Sequence, residues 1–236
     1  MAYSDIITKE MIVVVRANFL QELADIRESI RHMGERATLS VETAVSSFAA
    51  NDVSYAAQSR QYEKEVDAMY KEIDEKCIVT MATQQPTAVD LRFLVSSIKI
   101  ANEIERVADY ANNIAKIVQK KFPGLDLTSL APLAERVSKL GEMAVAMLAD
   151  SIKAYDLNDA NLASQVRERD AEVNKLNKQL LKDILNIAVA NPGNQEAVIE
   201  YNVAIRYLER VADRSTNIAE WVFYIATGYR MRDKKS

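Results

Sequence analysis

Carboxylates spaced four residues apart are the side chains of this chain best suited to chemistry. Glu105 precedes Asp109 by four positions, and Glu209 precedes Asp213 by the same interval. Four residues of an α-helix turn about 400°, so each pair projects from one face with about 40° of drift. Like charges at this spacing repel by a few tenths of a kcal/mol. We therefore expect a positive partner beside each pair.

Two kinds of partner are available. Arg106 and Arg210 each lie three residues before the aspartate of their pair, where they can neutralise it along the helix. The alternative is a cation held between two helices. A further pair at the same spacing, Glu63 and Asp67, could supply the second helix, and an internal repeat places Asp170 at the position of Glu63.

Carboxylates from two neighbouring helices would form an all-oxygen site, which suits hard cations or manganese and iron. The candidate metal ligands are Glu63, Asp67, Glu105 and Asp109 in the first half of the chain and Asp170, Glu209 and Asp213 in the second. The second set is weaker because Asn174 stands at the position of Asp67. Spacing alone leaves both the arginine and the metal interpretation open.

Catalytic groups of other kinds are not evident in the sequence. His32 is the only histidine, so a histidine zinc site and the two Glu-x-x-His motifs of a ferritin-like di-iron bundle are excluded. The sequence shows no companion with which His32 would build a catalytic triad. The single cysteine, Cys77, provides neither an internal disulfide nor a thiolate zinc site. Five scattered glycines form no phosphate-binding loop. We predict a protein that is not an enzyme and has no catalytic residues.

Charge and hydropathy restrict the partners of the chain. Its 236 residues include 30 basic and 34 acidic side chains, a formal net charge of −4, which argues against a nucleic-acid binder. The apolar run from Met11 to Val15 is shorter than the ~7–15 residues of a signal-peptide core. No stretch approaches the ~20 apolar residues of a membrane span. These patterns predict a soluble cytoplasmic protein.

The elements that position the carboxylates follow from the scarcity of turn formers. The chain has five glycines and four prolines, and about 50 residues without either separate Gly34 from Pro86 and Gly141 from Pro192. Sheets need turns far more often than that, whereas long helices require such stretches. The composition therefore predicts an all-α protein.

The sequence contains an internal duplication. The block from Glu105 to Asp109 recurs 104 positions later as Glu209 to Asp213, and Gly34 recurs 107 positions later as Gly141. The two offsets imply that the repeats differ by three residues in a loop. Because glycine inside a helix costs ~1 kcal/mol relative to alanine, the matched glycines predict a close helix–helix approach.

Helix breaks divide each half into three helices. They fall at Asn51-Asp52 and Gln84 to Pro86 in the first half, and at Asn158-Asp159 and Asn191 to Gly193 in the second. The first helix is expected to begin near residue 18. The predicted architecture is two tandem, duplicated antiparallel three-helix bundles, over residues 1–122, with an N-terminal extension at 1–17, and over residues 123–236.

Four sequence blocks, in order, resemble the PhoU family of regulators of phosphate-specific transport. They are Tyr62 to Asp67, Pro86 with Asp90-Leu91-Arg92, the duplicated Glu-Arg-x-x-Asp block with its following Asn-Ile-Ala, and Glu220-Trp221 through Gly228. The resemblance extends from about Phe19 to Arg232. It implies two similar three-helix bundles, in agreement with the duplication.

The resemblance also implies a function. Such proteins act as negative regulators of the phosphate-starvation response, linking the ATPase subunit of a phosphate ABC transporter to a membrane sensor histidine kinase. Family members commonly form homodimers, and some bind iron or another metal, such as manganese, magnesium or zinc, at Glu/Asp-x-x-x-Asp motifs. Here that motif falls on the seven candidate ligands above, with Asn174 as the departure.

Three hypotheses follow. The first is a non-enzymatic signalling adaptor between the transporter ATPase and the kinase. The second is a protein whose primary function is to bind or store metal at its carboxylate clusters. The third is a helical scaffold that only oligomerises.

Overall fold

Six long helices form the protein. The computed structural model describes residues 2–231, with side chains from Arg16 onward. The helices are α1 (Ala2–Ala50), α2 (Val53–Gln84), α3 (Ala88–Lys120), α4 (Ala131–Leu157), α5 (Ala160–Ala190) and α6 (Gln195–Thr227), with one 3-10 turn at Thr128–Leu130. Residues 2–231 contain no β-strand. The prediction of an all-α protein is confirmed.

The predicted start of the first helix is wrong. We expected it near residue 18, after an N-terminal extension over residues 1–17, but α1 already begins at Ala2. Residues 2–17 contain no glycine or proline, so no residue there interrupts the helical backbone. The remaining predicted breaks agree with the observed helix ends to within a few residues.

The repeated Asn-Asp dipeptides end one helix and begin the next. Asn51 and Asn158 adopt left-handed backbone conformations, with φ of 50° and 51°, a conformation that asparagine tolerates better than most residues. Asp52 and Asp159 then cap α2 and α5, each accepting a bond from the backbone N–H two residues later, at 2.7 and 2.8 Å. The same Asn-Asp dipeptide therefore forms the same turn in both halves.

Each half forms a three-helix bundle, and the two bundles pack side by side. Helices α1, α2 and α3 contact one another, as do α4, α5 and α6. Across the junction α1 packs on α4 and α3 packs on α6, which leaves α2 and α5 at the outer edges. One continuous apolar core runs through both bundles. The predicted duplicated bundles are confirmed, while the boundary between residues 122 and 123 stays a prediction.

The α1–α4 contact confirms the predicted role of the matched glycines. A Cβ at Gly34 would lie 2.6 Å from the side chain of Ile152, and a Cβ at Gly141 would lie 2.5 Å from that of Val45. Val45 and Ile152 are themselves 107 positions apart, so the two contacts are copies of each other. The helices cross in antiparallel directions about a local pseudo-two-fold axis.

The α3–α6 contact repeats this symmetry with different side chains. Glu103 of α3 pairs with Arg214 of α6 at 3.1 Å. The equivalent positions hold Tyr110 and Tyr207, whose rings stack with centroids 5.7 Å apart. An ion pair and an aromatic pair thus occupy symmetry-related places, and both hold the carboxylate-bearing helices in register.

Candidate functional site: two carboxylate clusters

The first cluster lies where α2 meets α3. The buried residues Ile104, Val107, Ala108 and Ala111 turn one face of α3 into the core. Glu105 and Asp109 consequently lie at the edge of that face, where each remains partly exposed. Glu63 and Asp67 approach them from α2, close enough for all four charges to influence one another. The predicted first set is therefore brought together.

Asn112 completes this cluster and was not among the predicted residues. Its side-chain N–H donates to Glu63 at 2.7 Å, and the residue is almost fully buried. The sequence contained a usable signal, because Asn112 follows Glu105 by seven residues and so shares its helix face. Asn113, four residues after Asp109, instead accepts a hydrogen bond from Lys116 at 3.4 Å.

Burial and mutual repulsion raise the proton affinity of this cluster. Burial raises the pKa of Glu63, against the hydrogen bond from Asn112, and the charges of Asp67 and Asp109 raise it further. Burial also raises the pKa of Glu105, with an added contribution from Asp109. The protein groups nearby thus do not neutralise the cluster completely.

Arg106 supplies part of the compensation predicted along the helix. It contacts Asp109 at 3.4 Å and Glu105 at 3.4 Å. Its guanidinium is half exposed, so the contribution of these pairs to stability is small. The Glu105 oxygen that Arg106 approaches, Oε2, is buried and accepts no hydrogen bond. The arginine interpretation is therefore realised, but it leaves this oxygen without a hydrogen bond.

The second cluster lies where α5 meets α6. Burial raises the pKa of Asp213 to about 6, and the charges of Glu209 and Asp170 add to the effect, although part of the Asp213 side chain remains in solvent. Burial also raises the pKa of Asp170. Asn174 donates to Asp170 at 2.7 Å, so it satisfies one oxygen by hydrogen bonding, while the buried Oδ1 of Asp170 accepts no hydrogen bond.

The arginine of the second block does not repeat the arrangement of the first. The guanidinium of Arg210 lies over the ring of Tyr110, 5.7 Å from its centroid. Asn217, four residues after Asp213, donates to Glu103 of α3 at 3.2 Å. Four-residue steps drift around the helix, and by this position the face has turned toward α3. No signal within α6 alone could have identified that partner.

The donor set fits a hard cation, but the side chains do not form a finished coordination shell. Each cluster offers carboxylate oxygens, and in each a carboxylate oxygen is buried and accepts no hydrogen bond, on Glu105 and on Asp170. Within the described part of the chain, no three His, Cys, Asp or Glu side chains are arranged to hold a metal ion together. The seven predicted ligands thus lie in two clusters, and metal binding by them stays a prediction.

None of the helices within residues 2–231 combines the length and apolar character that crossing a membrane requires. The fold and the site together define a class: a duplicated all-helical protein with one carboxylate cluster per bundle. The model of the PhoU domain matches residues 30–118 and again residues 137–222, one match per bundle. The chain belongs to the PhoU family.

Individual relatives agree over nearly the full length. The chain is 31% identical over 215 residues to a phosphate-specific transport system accessory protein PhoU homolog of Rhizobium meliloti, covering 91% of this chain and 89% of that protein. It resembles the crystal structure of PhoU from Pseudomonas aeruginosa with a TM-score of 0.84 and 30% identity, over 89% of this chain and all of the other. The crystal structure of the phosphate transport system regulatory protein PhoU from Streptococcus pneumoniae matches with a TM-score of 0.80 and 26% identity. That match covers 91% of this chain and 99% of the other.

Proposed function

We propose that this protein is a non-enzymatic accessory and negative regulator of a phosphate-specific transport system. In this proposal the protein is a cytoplasmic homodimer. It acts as an adaptor between the ATPase subunit of the transporter and a sensor histidine kinase. The full-length similarity to proteins named as transport accessory or regulatory proteins carries the proposal. The lack of an evident catalytic constellation in the sequence supports an adaptor over an enzyme.

A gene deletion tests this proposal. Cells lacking the gene are expected to express phosphate-starvation genes in phosphate-replete medium, and the intact gene should restore repression. Unchanged repression in the deletion strain would contradict the regulatory role. A pull-down with the tagged protein from phosphate-replete cells separately tests the adaptor role, because it should recover the transporter ATPase or the kinase.

We further propose that the two carboxylate clusters bind divalent or ferric cations. In the first cluster Glu63, Asp67, Glu105 and Asp109 would hold the metal, and in the second Asp170, Glu209 and Asp213. The raised proton affinity and the oxygen of Glu105 that accepts no hydrogen bond support this, because a cation would compensate the charge and coordinate that oxygen. The hypothesis of a dedicated metal store gains no support from the relatives, which are named for transport.

Metal analysis of the purified protein tests the site. Iron, manganese, magnesium and zinc are measured in the intact chain and in an Asp109→Ala/Asp213→Ala variant, which should lose most of the bound metal. Glu72→Ala/Glu196→Ala is the matched control, because it removes two exposed acids from α2 and α6 outside both clusters. Equal metal content in all three proteins would eliminate the carboxylate sites.

A further inference from the structure

Two sequence blocks that the carboxylate clusters leave unexplained meet at one end of the molecule. Arg92 lies in the first turns of α3, and Tyr224 and Gly228 lie at the end of α6. The Arg92 guanidinium sits 5.7 Å from the centroid of the Tyr224 ring. One of its terminal nitrogens occupies the space that a Cβ on Gly228 would need. The glycine, which ends α6 with a φ of 80°, therefore makes room for the arginine.

A second arginine shares the same aromatic ring. The Arg230 guanidinium lies 4.5 Å from the Tyr224 centroid and 4.1 Å from that of Trp221. Stacking on aromatic faces orients a guanidinium and leaves the N–H groups at its edge free to donate in the plane. Two oriented cations are thus held beside one tyrosine.

Neither arginine has an acidic partner within residues 16–231. Asp90, two residues before Arg92, is engaged by Arg16 at 3.3 Å and by the Thr87 hydroxyl at 2.7 Å. Glu220, beside Trp221, is engaged by Arg167 at 3.5 Å. These two acids are therefore already compensated, whereas neither guanidinium has an ion-pair partner among the described residues.

The Nε of Arg92 is also buried and donates no hydrogen bond. A buried donor without an acceptor is costly, and charged donors bind carboxylate and phosphate oxygens most strongly. The Arg92 cation could stabilise the C-terminal end of α6 by its charge alone, as any cation would. Charge alone does not account for a second unpaired guanidinium on the same ring.

We propose that Arg92 and Arg230 form an oxyanion-binding site, here called the arginine pair, with Tyr224 and Trp221 as its aromatic support. Its ligand is a phosphate or carboxylate group, held by bidentate guanidinium bonds, and it is separate from both carboxylate clusters. The group is supplied either by free inorganic phosphate or by an acidic side chain of a protein partner. The site is distinct from the function proposed above and does not depend on it.

Trp221 is the only tryptophan of the chain, so its fluorescence reports on this site directly. The full-length protein is titrated with inorganic phosphate, and separately with a glutamate-rich peptide, at ionic strength held constant with chloride. We expect a saturable change with at least one of them. Phosphate alone would identify a free ion as the ligand, and the peptide alone would identify a protein side chain.

An Arg92→Lys/Arg230→Lys variant keeps both charges but removes the bidentate geometry, and should weaken the apparent affinity at least about tenfold. Arg206→Lys, an exposed arginine of α6 far from Trp221, should leave it unchanged. Thermal unfolding checks that the variants are folded. If the double variant does not fold, the single variant Arg230→Lys replaces it, because Arg230 lies beyond the end of α6. No saturable change with either ligand, or equal affinity in the folded lysine variants, overturns the proposal.

Discussion

At the scale of single residues, one substitution separates the two carboxylate clusters. Position 67 is an aspartate in the first half, and its counterpart Asn174 donates a hydrogen bond to Asp170 in the second. An amide N–H satisfies a carboxylate oxygen without adding negative charge, so the second cluster needs less compensation from a cation. The difference predicts unequal metal affinity in the two halves.

Asn174→Asp is therefore expected to strengthen metal binding by the second cluster. The change removes a donor and adds an oxygen ligand, and about a tenfold gain in affinity for Mn²⁺ is reasonable for one added carboxylate. Isothermal titration in an Asp109→Ala background isolates the second cluster. Asn161→Asp, an exposed position at the start of α5, is the control for added charge. Unchanged Mn²⁺ affinity would argue against a metal role for this position.

Asp213 predicts a pH dependence of stability in the metal-free protein. The pKa of its carboxyl is about 6 in the folded protein, against 3.8 ordinarily. Between these values the folded state holds more protons than the unfolded chain, so the free energy of unfolding falls as pH rises through this interval. Asp213→Asn should raise stability above pH 6, by less than about 1 kcal/mol given its solvent exposure, and have little effect near pH 4.

Urea unfolding in the presence of a chelator, at pH 4 and pH 7, measures this difference. The intact protein provides the reference at each pH, and Asp183→Asn removes an aspartate of α5 that pairs with Arg136 outside the cluster. A stability gain of equal size at both pH values would show that the Asp213 carboxyl is not the source.

At the scale of the helices, the glycine contacts set how closely α1 and α4 approach. Gly34→Ala adds a Cβ against Ile152, and overpacking of this kind costs about 1–3 kcal/mol. The gain in helix propensity, about 1 kcal/mol, offsets only part of that cost. We expect a net loss of about 1 kcal/mol in the free energy of unfolding, measured by urea denaturation.

A double variant identifies the cause of that loss. Ile152→Ala removes the atoms that the new Cβ would meet, so Gly34→Ala should destabilise the protein much less in that background. Gly193→Ala is the matched control, because a Cβ there meets nothing within 4 Å. Additive effects of the Gly34 and Ile152 substitutions would show that the helices do not depend on this contact.

At the scale of the whole molecule, the two bundles resemble subunits of a symmetric dimer joined in one chain. Phe48 packs on Tyr201 with centroids 4.7 Å apart, and the equivalent positions hold Tyr155 and Ser97, whose hydroxyls hydrogen-bond at 2.9 Å. Isologous contacts of this type place each interface position opposite its symmetry mate. The two halves thus differ in the chemistry of each contact but retain its position in the interface.

This symmetry predicts that the halves recognise each other as separate chains. Residues 1–122 and 123–236, produced together, should form a one-to-one complex, because the continuous core lies partly between them. Each half alone would expose the apolar surfaces of its junction and should self-associate. Native mass spectrometry distinguishes these states, with the intact chain as the reference. Two soluble halves that do not associate with each other would contradict the prediction.

Much of this architecture was readable from the order of residues alone. The scarcity of glycine and proline, the duplicated block and the Asn-Asp breaks predicted the helices and their grouping, because helix propensity and capping are local properties. The four-residue spacing of carboxylates likewise predicted which side chains share a face. The start of α1 was missed because no local residue distinguishes an extension from the helix that continues it.

The partners across helices were decided only by the tertiary structure. The contacts of Glu103 with Arg214, and of Arg92 with Tyr224, join residues more than 100 positions apart. They depend on how two antiparallel helices are rotated and registered, and that is set by core packing along the full interface rather than by any short stretch of sequence. Local periodicity thus determined which carboxylates share a helix face, whereas packing determined which side chains meet across helices and which arginines have no acidic partner among the described residues.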